Sequence, residues 1–164
     1  MLDLTVNLKH KAMLTTIYAL GLRSGELINL KMSHIDKYRD IITIKAGKGK
    51  RDRQLPFPES LKIILREYYI KYKPKTYLFE GQKSQYSPAS LRAVFKDSVK
   101  RGGITKEVTL HSLRHAYATN LLESGTDLRL IQELLGHNNI KTTMLYTHVS
   151  KRSMLQVKSP LDFL

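Results

Sequence analysis

The chain has 164 residues, enough for one domain with a real hydrophobic core and short for two. Its 41% apolar and 26% charged residues are those of a soluble globular protein, and the absence of cysteine excludes disulfides, thiolate chemistry and cysteine-type zinc sites. The 28 Lys and Arg against 14 Asp and Glu leave a net charge of +14, which points to an anionic partner, nucleic acid first, with a merely well-solvated surface as the alternative.

Residues 8–20 carry apolar positions at helical spacing (Ala12, Leu14, Ile17, Leu20), and Gly21 is a stop signal. A second short helix is predicted from near Ser24, whose hydroxyl can cap it, through Leu27, Ile28 and Leu30. The β-branched run Ile41-Ile42-Thr43-Ile44 predicts a strand and Arg53-Gln54-Leu55-Pro56 its return partner. Between them Gly47-Lys48-Gly49-Lys50 reads as a hairpin tip, with glycines that permit positive φ. The remainder reads helical, over about 59–72, 88–102, 111–124, 127–136 and 139–146, with Pro58, Pro74 and Pro88 at element starts or loops. The expected fold is mostly α with one small antiparallel β-sheet, an α+β arrangement in a single domain over 1–164. No apolar run approaches the roughly 20 residues of a spanning helix, no secretory pattern opens the chain, and a cytoplasmic location fits.

Several positions hold side chains suited to phosphate. Arg23 precedes Ser24-Gly25-Glu26, and by itself it is a solvated arginine at a helix start; Glu26, on the same helical face, can hold that turn through charge and hydrogen bonds. Lys48, Lys50, Arg51 and Arg53 form a cationic patch able to contact DNA phosphates in general. His111 and Arg114 are three residues apart, so on a helix they share one face, about 5–6 Å apart at Cβ, and can touch one phosphate. Leu113, Ala116, Tyr117, Leu121 and Leu122 would hold them rigid, while His115 lies on another face and reads as structural. His137 follows Gly136 at a helix end, where a histidine also complements the helix dipole. Tyr146 is one of nine tyrosines.

Taken in order, Gly21-Leu22-Arg23-Ser24-Gly25-Glu26, Gly47-Lys48-Gly49, Thr109-Leu110-His111-Ser112-Leu113-Arg114-His115, and Leu134-Leu135-Gly136-His137 followed nine positions later by Tyr146 resemble the boxes of the tyrosine recombinase, or phage integrase, family, in its Xer-like form. Asn120 stands where relatives often carry His. The resemblance implies the family's catalytic-domain fold and site-specific DNA recombination, in which Tyr146 attacks the scissile phosphate and forms a 3′-phosphotyrosyl intermediate. It implies that Arg23 and Arg114 bind that phosphate, that Lys48, preferred over Lys50 for its place between two glycines, protonates the leaving 5′-oxygen, that His111 assists transfer of the tyrosine proton, and that His137 donates to a phosphate oxygen. His148 is read as surface or structural. Double-stranded DNA is the implied partner. Leu155, Val157, Leu161 and Phe163 make the tail apolar enough to mediate self-association, as a tetramer on DNA, or else to pack on its own domain. The family's usual N-terminal core-binding domain is expected to be absent, because the first arginine box begins about twenty residues in.

The residue types suit the reaction. Two guanidiniums offer planar, permanently charged forks for the nonbridging oxygens and for the charge that grows in the transition state. A tyrosine of pKa about 10 is a weak nucleophile until its proton is accepted and it is held in line. Lysine can act as an acid where neighbouring cations lower its pKa. Because the bond energy is kept in the phosphotyrosyl linkage, neither metal nor cofactor is expected. Three other classes stand beside this one: a type IB topoisomerase, a non-catalytic DNA-binding module, which would lack one or more of these residues, and a histidine metalloenzyme using His111, His137 and His148, against which stands the lack of a carboxylate at ligand spacing.

Overall fold

Asn7 starts the first helix: its side-chain oxygen accepts from the backbone N–H of His10, and α1 (Leu8–Leu20) runs until Gly21 turns left-handed at φ 59°. In a computed structural model, residues 1–45, 52–82, 84–137 and 143–144 are described. Ala12, Met13, Leu14, Thr16, Ile17 and Leu20 are all buried, so α1 runs through the core rather than over it. It packs against α3 (Glu59–Tyr72) on one side and α5 (Leu110–Glu123) on the other.

The short α2 (Ser24–Ile28) follows at once. Ser24 was expected to cap it; instead Arg23 is the capping position, and the Glu26 carboxylate reaches back to accept from the Arg23 backbone N–H at 2.8 Å. A carboxylate in the first turn does this better than a hydroxyl, because it also meets the positive end of the helix. The two expected strands, β2 (Ile41–Ile44) and β3 (Arg53–Pro56), pair antiparallel with Ile42 opposite Leu55 and Ile44 opposite Arg53. A two-residue strand, β1 (Ile35–Asp36), extends the sheet in the order β1-β2-β3; it is too short to leave a periodic signal. The inward face of the sheet, with Ile42, Ile44 and Leu55, joins Leu27, Leu61, Leu65, Phe79 and Leu91 in the main core.

The remaining helices fall close to their expected places: α3, α4 (Pro88–Arg101), α5 and α6 (Leu128–Leu135). Asp127 caps α6 by accepting from Arg129 and Leu130, and Gly136 ends it at φ 64°. The expected helix over 139–146 lies outside the described residues except for Thr143 and Met144, as do the hairpin tip with Lys48, Lys50 and Arg51, Tyr146, His148 and the apolar tail. Among the described residues no helix is long and apolar enough to cross a membrane.

Candidate active site

Glu26 is the hub around which the cations gather. Arg53 grips it with both ends of the guanidinium, Nη1 to Oε1 and Nη2 to Oε2, each at 2.8 Å. Arg23 adds Nη1 to Oε1 at 3.0 Å, and Nη1 of Arg114 stands 3.8 Å from Oε2. Burial pushes the proton affinity of Glu26 up, but the hydrogen bonds from Arg53 and the Arg23 backbone, and the charges of Arg53 and Arg23, outweigh it and hold the pKa at about 2. Glu26 is therefore ionised at neutral pH. Three guanidiniums around one carboxylate leave two positive charges in excess, a field that attracts an anion.

Arg53 requires a correction. Expected with Lys50 and Arg51 as a DNA contact, Arg53 has a side chain only 11% exposed, and its Nε donates to the Leu134 carbonyl at 2.8 Å. The period of a strand explains this: Arg53 shares a sheet face with Leu55, and Leu55 points to the core. All three of its donor nitrogens are spent inside the protein.

Arg114 is held from three sides. Nη1 donates to the Gly21 carbonyl and Nη2 to the Leu135 carbonyl, both at 2.6 Å, and Nη2 also lies 3.0 Å from Nε2 of His137. The side chain is fully enclosed, whereas Arg23 keeps 37% of its side-chain surface exposed. Gly21 and Gly136 make this possible. Their left-handed turns present neighbouring carbonyls to the guanidinium, and a Cβ on Gly21 would fall 2.4 Å from the Tyr117 ring.

The protonation of His137 follows from its partners. A guanidinium can only donate, so Nε2 facing Arg114 must be the acceptor, and Nδ1, 3.0 Å from Thr143 Oγ1, carries the proton. Burial, then the charges of Arg114, Arg23, His111 and Arg53, lower its pKa to about 4, in keeping with a neutral ring. In this state His137 accepts from Arg114 rather than offering a proton outward through Nε2. Thr143 lies three residues before Tyr146 in the stretch Thr142-Thr143-Met144-Leu145-Tyr146, a nearness in sequence that does not by itself reveal its bond to His137.

His111 is exposed at the start of α5 and meets His115 edge-to-face, with ring centroids 4.4 Å apart. Burial, His115, Arg114 and Arg23 hold its pKa below the ordinary histidine range. His115 thus forms part of the surroundings of His111. The two form a His-x-x-x-His pair, but among the described residues no three His, Cys, Asp or Glu come together as a metal cluster. Arg23, Glu26, Arg114 and His137 are joined by direct contacts, with His111 within their electrostatic reach.

The model of the phage integrase family matches residues 3–153. The chain is similar to a tyrosine recombinase of Thermosipho africanus, 38% identical over 143 residues that cover 87% of this chain and 50% of the relative. It is also similar to the tyrosine recombinase XerD of Corynebacterium glutamicum, 36% identical over 159 residues, 93% of this chain and 52% of that protein. The chain spans about half the length of these curated relatives. Among solved structures, the XerA recombinase superposes with a TM-score of 0.84 at 30% identity, over 96% of this chain and 61% of the other. The XerH site-specific recombinase, in a post-cleavage complex with its palindromic difH substrate, superposes with a TM-score of 0.81 at 29% identity, over 96% and 47% of the two chains.

Proposed function

The chain belongs to the phage integrase family, and from that premise we propose that it cleaves and rejoins double-stranded DNA in site-specific recombination, through a 3′-phosphotyrosyl intermediate on Tyr146. The observation that carries the reading is the convergence of Arg23, Arg114 and His137, from the start of α2, from α5 and from the end of α6, where with Arg53 two net positive charges remain around Glu26.

Arg23, the exposed member, receives a nonbridging phosphate oxygen first. The phosphate then competes for Arg114, whose donors are engaged by carbonyls and by His137. An arriving anion raises the proton affinity of His137 and relieves Nε2 of its acceptor duty, so that His137 becomes the donor the phosphate needs. His111, whose proton affinity is lowered by partial burial and by the cations around it, takes the Tyr146 proton as the phenolic oxygen attacks phosphorus. The P–O5′ bond breaks, and Lys48 supplies the proton to the leaving 5′-oxygen. In the reverse reaction the 5′-hydroxyl attacks the phosphotyrosine and the proton transfers run backwards. Self-association on DNA, as a tetramer, is assigned to the tail after Tyr146.

Incubation with a nicked suicide substrate tests the reading. A covalent adduct should form that Tyr146→Phe abolishes, and Lys48→Ala should recover cleavage when sulfur replaces the 5′-oxygen, because a thiolate leaves without protonation. An adduct that persists in Tyr146→Phe, or that maps to Tyr86 or Tyr117, would overturn the assignment.

A further inference from the structure

Arg53 joins two pieces of the site that are far apart in the chain. Its guanidinium holds both carboxylate oxygens of Glu26, which in turn fixes the backbone and side chain of Arg23. Its Nε holds the carbonyl of Leu134, three residues before His137. A second observation comes from the glycine between them. A Cβ on Gly136 would lie 3.1 Å from Arg53 Nη1 and 3.2 Å from its Cδ, so the arginine stem lies directly against the last turn of α6.

We propose that Arg53 is a positioning residue for DNA cleavage, which sets the spacing between Arg23 and His137 by bonding the start of α2 to the end of α6; the inference rests on the phosphate roles proposed above for those two residues. The planar fork is what this task requires. A lysine in its place could neutralise Glu26 but could not hold two carboxylate oxygens and a carbonyl at fixed angles. Arg53 also keeps Glu26 from neutralising Arg23, because its own charge balances the carboxylate and leaves Arg23 and Arg114 net positive toward the DNA.

The test compares cleavage by the full chain on a suicide substrate with an ordinary scissile phosphodiester and on one with a methylphosphonate there, which carries no charge on the reacting group. Displacing phosphate-binding cations by about 1 Å costs on the order of a hundredfold, so Arg53→Lys should lose about that much on the phosphodiester. On the neutral linkage, which depends far less on those cations, the loss should fall below about tenfold. Ile131→Ala, a change in buried packing, should affect both substrates alike. Equal losses for Arg53→Lys on the two substrates would overturn the proposal. If the unaltered chain forms no adduct at Tyr146, the recombinase reading fails first, and the ring nitrogen resonances of His137 then decide the role of Arg53. They should move in Arg53→Gln while those of His34 stay in place, and a His137 that does not respond refutes the positioning role. The same spectra report whether either variant folds.

Discussion

Replacing Glu26 by Gln keeps the size of the side chain and removes the charge that three guanidiniums share. The Glu26 side chain is 15% exposed, and its pKa falls from the ordinary 4.5 to about 2 against the opposing effect of burial. A tenfold change in proton affinity is about 1.4 kcal/mol, so the ionised carboxylate contributes about 3 kcal/mol, or about 2–3 once its remaining solvent access is allowed for. The folded pKa lies below the unfolded one, so this stability is complete above the unfolded carboxyl's titration near pH 4.5 and fades as pH falls toward 2. Urea unfolding of both proteins measures it directly. At pH 7 Glu26→Gln should be less stable by about 2–3 kcal/mol, and by pH 3 the difference should shrink to roughly half. A difference of the same size at both pH values would show that the residue acts through packing or hydrogen bonding alone, and would refute the electrostatic account of the hub.

Gly21→Ala forces a left-handed turn on a residue with a Cβ and drives that atom to 2.4 Å from the Tyr117 ring; unfolding should show a loss of about 2–4 kcal/mol, and a change below about 0.5 would contradict the crowding. The His137 ring should titrate near pH 4 by NMR. Its folded pKa lies below the unfolded 6.5, so protonation opposes folding and stability should decline as pH falls from about 6.5 toward 4, by about 1 kcal/mol after discounting for partial exposure. A midpoint at 6 or above would refute the lowering by burial and by the surrounding cations. DNA binding should weaken at least about tenfold between 50 and 200 mM salt, the counterion effect of about two phosphate contacts; affinity that is flat across that range would argue against the cationic cluster as the docking point.

Most helices were legible because their apolar spacing and their stops agree. Gly21 and Gly136 fall where the periodic residues end, and both adopt the left-handed turn that such a stop requires. The two hairpin strands were legible from β-branching, whereas β1 was not, since two residues cannot display a period. Within the site, the i to i+3 relation of Arg23 and Glu26 was readable as a contact because it is local. The partnership of Arg53 with Glu26 spans 27 residues, and that of Arg53 with Leu134 spans 81. No local spacing encodes such pairs. The inward direction of Arg53 is nevertheless encoded in its alternation with Leu55, a signal masked by the cations beside it in sequence. The proton on Nδ1 of His137 could not be read from sequence at all, because it follows from Arg114 approaching the other nitrogen.

The main core draws on α1, the sheet, α3 and α4 and is joined from α6 by the partly buried Leu134, whereas Ile131 and Leu135 of α6 lie with Ala118 in a separate small cluster. To this apolar burial Arg53 and Arg114 add polar ties to the carbonyls of Leu134 and Leu135. The bonds that assemble the cationic cluster therefore also help to keep this helix from opening. Amide exchange in α6 should be faster than in α1 and should rise further when an anion draws Arg114 away from the Leu135 carbonyl, so that the helix registers site occupancy through its own local stability.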